Sequence, residues 1–255
     1  MEPERIALLG LLALAGVAAG FINVVAGGGS LLTLPALMLL GLPAGLANGT
    51  NRLAIVTQSV AGVIAYRRAG RLPSEAMAPV LVPTVLGAGC GAAVAAYVPD
   101  AILEPVLLGT LVLMALVMLV RPSLLTPAEG DGPVSWRERP WALAGLFGAG
   151  LYGGFIQAGV GFVLLAVLGG VLRYDLARAN ALKLVCTALY GVVVLAIFVA
   201  AGQVEWVAAS VLAVATVVGS QLGVRFAVKA SPKVLNAIVF VAVVASAIAI
   251  ALRGR

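Results

Sequence analysis

Long apolar runs, separated by short polar or glycine-rich breaks, fill most of this chain. They fall near residues 6–25, 31–41, 46–66, 75–97, 101–120, 141–158, 160–172, 179–200, 204–228 and 233–252. Membrane β-strands alternate apolar and polar residues, and these runs do not, so the pattern predicts helices throughout. At about 20 residues for each crossing, the chain is long enough for about 8–10 membrane segments. The predicted fold is therefore all-α, polytopic and transmembrane.

Two of the runs, 31–41 and 160–172, are too short to cross a membrane easily. At a rise of 1.5 Å per residue, a helix needs about 20 residues to span a hydrocarbon core of about 30 Å. Each half of the chain contains one short run, directly after its first long run. The short runs are predicted to be half-helices or re-entrant segments, which is where transporters commonly place their binding sites.

The order of long and short runs is the same in the two halves of the chain. Residues 47–100 align without a gap on residues 179–232, and both stretches contain the pattern T-V-x-G-x-x-x-G. The predicted organisation is a first membrane repeat at 1–121, a polar linker at 122–140 and a second membrane repeat at 141–255. Tandem repeats occur in secondary transporters, either parallel or inverted, and the loop charges do not decide between the two orientations.

Each copy of the shared pattern contains two glycines four residues apart, Gly87 and Gly91 in the first copy and Gly219 and Gly223 in the second. Such glycines let two helix backbones approach closely, and this packing replaces the hydrophobic driving force that is missing inside a bilayer. The spacing therefore predicts helix–helix contacts within the protein.

The composition supports a membrane location. Hydrophobic residues make up 62% of the chain and charged residues 10%, with a mean hydropathy of +1.14. Soluble enzymes, disordered tails and nucleic-acid-binding domains are excluded, since soluble domains are about 25% charged. The chain has no histidine, and none of its acidic residues lies in the middle of an apolar run. No metal site, cofactor, acid relay or catalytic centre is therefore predicted, and the chain is not expected to be an enzyme.

The first candidate binding segment is the glycine-rich break that precedes the short run in each half. Three successive glycines end a helix, and Ser30 is a candidate N-cap for the short helix that follows. The amides and dipole at such a helix N-terminus attract anions. The candidate substrate-binding residues are Asn23, Gly27, Gly28, Gly29 and Ser30 in the first half and Gln157, Gly159 and Gly161 in the second.

The second candidate segment opens the next long run of each half and combines an asparagine with a cation. Its candidate residues are Asn48, Thr50, Asn51 and Arg52 in the first half and Asn180 and Lys183 in the second. A cation at a helix start opposes the helix dipole, and a bound anion or lipid phosphate would offset this cost. In the alternative interpretation, Arg52 and Lys183 snorkel to the lipid headgroups. The sequence leaves both alternatives open.

The chain resembles the TauE/SafE sulfite-exporter family of membrane transporters. The resemblance is carried by Gly20-Phe-Ile-Asn-Val-Val-Ala-Gly-Gly-Gly-Ser-Leu-Leu-Thr-Leu-Pro35, by Leu40-Gly-Leu-Pro43 and by Ala47-Asn-Gly-Thr50. The second half repeats the pattern more loosely, through 150–165 and 175–180, without the full glycine cluster. The resemblance implies transport of sulfur-containing anions such as sulfite, thiosulfate or organosulfonates, and a location in the bacterial inner membrane.

The preferred functional hypothesis is an exporter of small anions, driven by a gradient or by the membrane potential. In this hypothesis the glycine break and the two asparagine–cation segments converge near the midplane of the membrane. The alternatives are a proton-coupled importer of a sulfur anion and a non-transporting membrane subunit of a larger complex. The expected partners are a small anionic substrate and membrane lipid, with no nucleic acid. Whether the chain forms a homo-oligomer is left open.

Overall fold

A computed structural model of the protein describes residues 3–25, 28–73, 77–120 and 132–227. This part of the chain forms nine α-helices: α1 (Pro3–Val25), α2 (Ser30–Leu39), α3 (Ala44–Arg68), α4 (Met77–Ala95), α5 (Asp100–Val120), α6 (Trp141–Phe155), α7 (Val160–Leu165), α8 (Leu176–Ala200) and α9 (Trp206–Ala227). Helix α7 continues into a π-helical segment, Ala166–Val171. The predicted all-α fold is confirmed.

Within the described residues, four helices are long and apolar enough to cross a membrane. They are Arg5–Val25 of α1, α4, α8 and α9. The two short segments are also confirmed as short helices, since α2 has 10 residues and α7 with its π-helical extension covers only Val160–Val171. The tenth apolar run, 233–252, lies outside the described residues. Of the predicted linker, residues 132–140 are described and contain no helix.

Helices α3 and α8 pack against each other in antiparallel directions. Ser59 and Thr187 share a hydrogen bond of 2.8 Å between their hydroxyl groups. On one side of this pair Gly62 faces Leu184, and on the other side Val56 faces Gly191. Residue numbers in contact thus increase along α3 as they decrease along α8, which defines an antiparallel pair. These two helices occupy corresponding places in the proposed repeats, so their antiparallel packing supports the inverted alternative. The duplication itself stays a prediction.

The glycine pairs lie at two very close helix crossings, which confirms the predicted helix contacts. A Cβ atom added at Gly87 or Gly91 of α4 would lie 2.1 or 2.0 Å from a backbone oxygen of α6. One added at Gly219 of α9 would lie 2.0 Å from the carbonyl oxygen of Val17 in α1, and Gly223 faces Phe21 of α1. Each crossing joins one half of the chain to the other.

The α4–α6 crossing gives a stability prediction. Gly87→Ala is expected to cost about 1–3 kcal/mol, because the new methyl group would meet a backbone carbonyl that cannot move independently of its helix. The melting temperature of the purified protein in detergent should fall by about 2–4 °C for each kcal/mol lost. The matched control is Gly89→Ala in the same helix, where the nearest atom, in Val193, would be 3.9 Å away. Equal melting temperatures for the two variants would contradict the close crossing.

Candidate functional site

Two interrupted helical segments form the framework of the site. In the first half α1 ends at Val25 and α2 begins at Ser30, and in the second half α6 ends at Phe155 and α7 begins at Val160. The backbone of the second break passes through two left-handed conformations, at Gln157 (φ 71°) and Gly159 (φ 72°). A helix that stops inside a protein leaves its last carbonyl groups without intrahelical partners. Each break therefore presents carbonyl oxygens that need donors.

Arg52 supplies these donors at the end of α6. Its Nη1 donates to the carbonyl oxygen of Gly153 at 2.6 Å, and its Nη2 donates to that of Gly154 at 2.9 Å and to that of Phe155 at 3.4 Å. The side-chain oxygens of Gln157 and Asn48 accept from the same guanidinium at 2.9 and 2.8 Å. A residue of the first half thus holds the broken helix of the second half.

A second hydrogen bond of Asn48 and two further side chains, Tyr190 and Phe198, complete the surroundings of Arg52. Asn48 also donates to the carbonyl oxygen of Phe155 at 2.8 Å, and Tyr190 donates to the side-chain oxygen of Gln157 at 3.1 Å. The aromatic ring of Phe198 lies 5.2 Å from the guanidinium carbon, within the range of a cation–π interaction. Sequence reasoning missed Phe198, because nothing in an apolar run distinguishes a ring that faces a cation from one that faces a leucine.

Lys183 donates in the same way to a carbonyl group at the end of α1. Its Nζ donates to the carbonyl oxygen of Asn23 and to the side-chain oxygen of Asn180, both at 2.7 Å. Asn180 in turn donates to the carbonyl oxygen of Val25 at 3.3 Å. Here a residue of the second half holds the broken helix of the first. Each half of the chain thus contributes an asparagine and a cation to the helix end of the other half.

Both cations are buried, and neither has an acidic partner in the described part of the chain. Arg52 and Lys183 are each 1% exposed. The ion pairs found in the described ranges, Arg5–Glu205 and Arg178–Asp175, involve neither of them. The carbonyl ends of α1 and α6 carry the partial negative charge of the helix dipole, so they stabilise a nearby cation only in part. A net positive charge therefore remains at each break.

The structure corrects two expectations about these cations. They do not stand at helix starts: α3 begins at Ala44 and α8 at Leu176, so each cation lies about two turns inside its helix. The expected conflict with the dipole of their own helix is therefore absent, and the relevant dipoles are those of α1 and α6. The snorkelling interpretation is also wrong, since buried side chains do not reach the lipid headgroups.

The two breaks are in contact with each other, but the Cα atoms of Arg52 and Lys183 are far apart. Val25 and Leu31, at the first break, share an apolar cluster with Ile156 and Ala158 of the second. Along the antiparallel α3–α8 pair, however, the Cα positions of Arg52 and Lys183 lie on opposite sides of the Ser59–Thr187 contact, about 16 Å apart in the axial direction. The glycine-rich breaks therefore come together as expected, whereas the backbone positions of Arg52 and Lys183 do not.

Ser30 and Asn51 form a separate polar network between α2 and α3. Asn51 donates to the hydroxyl group of Ser30 at 3.2 Å, and its side-chain oxygen accepts from Thr33 at 2.8 Å. The sequence predicted Ser30 as the N-cap of α2, and this prediction is wrong. Gly29 takes that position, and no side chain caps the helix. Sequence reasoning missed Thr33, although its hydroxyl group lies one turn after Ser30.

The other candidate residues are spread around these groups. Thr50 faces the α8–α9 connection, where its hydroxyl group accepts from the backbone amide of Glu205 at 2.9 Å. Gly159 is the N-cap of α7 and faces Met114, and Gly161 is buried in that helix. Gly28 packs against the ring of Phe162, and Gly29 against α1. Gly27 lies outside the described residues.

Long apolar helices, two interrupted helices whose ends meet, and buried polar side chains at the breaks together define a membrane protein with the architecture of a transporter. The sequence matches the family described as Sulfite exporter TauE/SafE over residues 12–250. The chain belongs to this family of membrane transporters.

Curated relatives of moderate identity are described as probable membrane transporter proteins. The probable membrane transporter protein ORF9 of Sinorhizobium sp is 28% identical, over 97% of this chain and 94% of its own length. The probable membrane transporter protein YfcA of Escherichia coli K12 is 30% identical, over 94% of this chain and 88% of its own. A probable membrane transporter protein of Haemophilus influenzae is 28% identical, over 86% and 84% respectively. No solved structure shows significant similarity to the chain.

Proposed function

We propose that this protein moves a small sulfur-containing anion, such as sulfite, thiosulfate or an organosulfonate, across the bacterial inner membrane. It would do so as a multi-pass exporter driven by the substrate gradient or the membrane potential. The family description supports a sulfur anion, whereas the names of the relatives give no substrate. The proposed partners are this anion and the surrounding lipid.

The observation that carries the proposal is the incomplete satisfaction of Arg52. A guanidinium group has five N–H donors and a permanent positive charge. Both terminal nitrogens of Arg52 have acceptors, but its buried Nε has none among the described residues. A buried charged donor without a partner is costly, and an anion would supply both the missing acceptor and the missing charge.

Polar groups near Lys183 offer a second point of contact. An ammonium group has three donors, and two of those on Lys183 have acceptors in the described part of the chain. Tyr66 packs with Val24, Ala181 and Leu184, close to Asn180 and Lys183 in the chain, and its buried hydroxyl group has no partner within the described ranges. We propose that the anion contacts the Arg52 side and the Lys183 side of the two adjoining breaks as it crosses.

The membrane potential can drive such a transporter without a proton relay. An inside-negative potential of 100 mV favours the exit of one negative charge by about 2.3 kcal/mol. Fixed cations at the breaks would lower the cost of taking the anion out of water, and they would not consume or release an ion. Transport without a coupled proton agrees with the lack of acidic residues in the middle of the apolar runs.

The test is uptake into proteoliposomes that contain only this protein. Sulfite, thiosulfate, an organosulfonate, sulfate and chloride are offered separately, with protein-free liposomes as the blank. We expect saturable uptake of at least one sulfur anion. No uptake of any anion above the blank contradicts the proposal. Uptake that requires a pH gradient at zero membrane potential favours the proton-coupled importer instead.

A further inference from the structure

The end of α1 presents backbone carbonyl oxygens, at Asn23 and Val25, to side chains of α8. Where transporter helices are interrupted near the middle of the membrane, the exposed carbonyl groups and helix C-termini commonly coordinate the coupling Na⁺ or proton. Hard monovalent and divalent cations prefer such oxygen ligands. In this protein one such oxygen, the carbonyl oxygen of Asn23, accepts from the ammonium group of Lys183, and the carbonyl oxygen of Val25 binds Asn180 beside it.

The geometry around Lys183 is compact. The carbonyl oxygen of Asn23 and the side-chain oxygen of Asn180 both lie 2.7 Å from its Nζ. Asn180 is itself fixed by its 3.3 Å hydrogen bond to the carbonyl oxygen of Val25, at the very end of the helix. Lys183 is 1% exposed, so bulk water does not share this position. A cationic group is thus held by two oxygens, at the negative end of a helix dipole.

We propose that Lys183 is a tethered substitute for a coupling cation. Its ammonium group occupies a monovalent-cation site at the end of α1, so that transport needs no free Na⁺ at this position. The consequence for transport rests on the proposed function, whereas the cation site itself does not.

Lys183 allows a sharper test than Arg52. An ammonium group is a compact point charge, comparable in size to a small free cation, whereas the planar guanidinium of Arg52 bridges several oxygens at once. Truncating Lys183 to alanine should leave a small space lined by the oxygens of Asn23 and Asn180. A free cation could enter that space.

The experiment compares wild type, Lys183→Ala and Lys183→Met as purified protein in detergent. Methionine is the matched control, because it also removes the charge but fills the space with an apolar chain. Melting temperatures are measured in choline chloride and in the chlorides of sodium, potassium, ammonium and methylammonium at equal ionic strength. The alanine variant is purified in methylammonium chloride, which is then removed by dialysis.

We expect the wild-type melting temperature to be the same in all five salts. Lys183→Ala should melt lower in choline and regain about 2–4 °C or more in at least one small cation, with no regain for Lys183→Met. The proposal is overturned if no cation restores Lys183→Ala, including the case in which it never folds, or if Na⁺ stabilises the wild type over choline. Flux is measured in parallel in sodium-free and in sodium-containing buffer, and wild-type flux that requires sodium overturns the proposal. A wild type without flux in either buffer, together with a cation-restored variant, would contradict the transport function and leave the cation site standing.

Discussion

Arg52→Gln is expected to lower anion flux by at least about 30-fold, because removing a buried, hydrogen-bonded charge costs about 2–5 kcal/mol of binding. It should also lower the melting temperature, since the carbonyl groups of Gly153 and Gly154 lose their donor at the end of α6. Arg52→Lys keeps the charge and part of the donors, and it should give intermediate flux. The measurement is initial uptake in proteoliposomes at equal amounts of folded protein.

The matched control for this prediction is Arg67→Gln. Arg67 lies on the same helix, in its last turn, and is exposed. Its replacement should leave both flux and melting temperature near the wild-type values. Near-normal flux in folded Arg52→Gln would show that the guanidinium only stabilises the helix end and does not bind the anion.

Asn48→Asp is expected to lower flux as strongly as Arg52→Gln while keeping the arginine in place. The side-chain oxygen of Asn48 lies 2.8 Å from Nη2 of Arg52, so a carboxylate there would neutralise the charge that is proposed to attract the anion. The substitution also replaces the hydrogen bond that Asn48 donates to Phe155 with a contact between two acceptor oxygens, at a cost of about 1–3 kcal/mol. The new ion pair should offset much of this loss of stability.

Asn48→Ala separates the effect of charge from the effect of lost contacts. Alanine removes both hydrogen bonds of Asn48 but leaves the positive charge uncompensated, so the alanine variant should transport faster than the aspartate variant. If Arg52 served only to cap α6, the aspartate variant would be the more active of the two. Asn180→Asp and Asn180→Ala make the same comparison at Lys183, where the asparagine oxygen lies 2.7 Å from Nζ.

The sequence was sufficient to predict the helical segments and the short elements after each first helix. The lengths of apolar runs carry this information directly, because the thickness of the bilayer sets the length of a crossing. The tight crossings at Gly87 and Gly219 were also predictable, since glycines at this spacing have few other uses in an apolar helix.

The starts of α3 and α8 were harder to place from sequence. The polar stretch 48–52 reads as a helix start, but α3 already begins at Ala44, behind Pro43. Polar side chains are tolerated within the helix because distant groups satisfy them. Asn48 and Arg52 bond to the end of α6, and Asn51 bonds to α2. Such partners are distant in the chain and cannot be inferred from the neighbouring residues.

The reciprocal holding of the two broken helices could not be predicted for the same reason. Arg52 and Gly153 are about 100 positions apart in the chain, and Lys183 and Asn23 about 160. These contacts involve backbone carbonyl groups, which every residue has, so no residue type marks the acceptor. The sequence identified Arg52, Lys183 and their asparagines as candidates, but only the fold shows which helix end each of them meets.

In the proposed function, fixed cations at the two breaks allow an anion to cross the membrane, and the membrane potential can drive it without a coupled ion. The most direct measurement is uptake of the sulfur anion in sodium-free proteoliposomes without a pH gradient, with a potassium–valinomycin potential of either sign. An inside-positive potential should drive saturable uptake and an inside-negative potential should drive efflux, and both should be lost in Asn48→Asp. Flux that does not change with the sign of the potential would contradict the account.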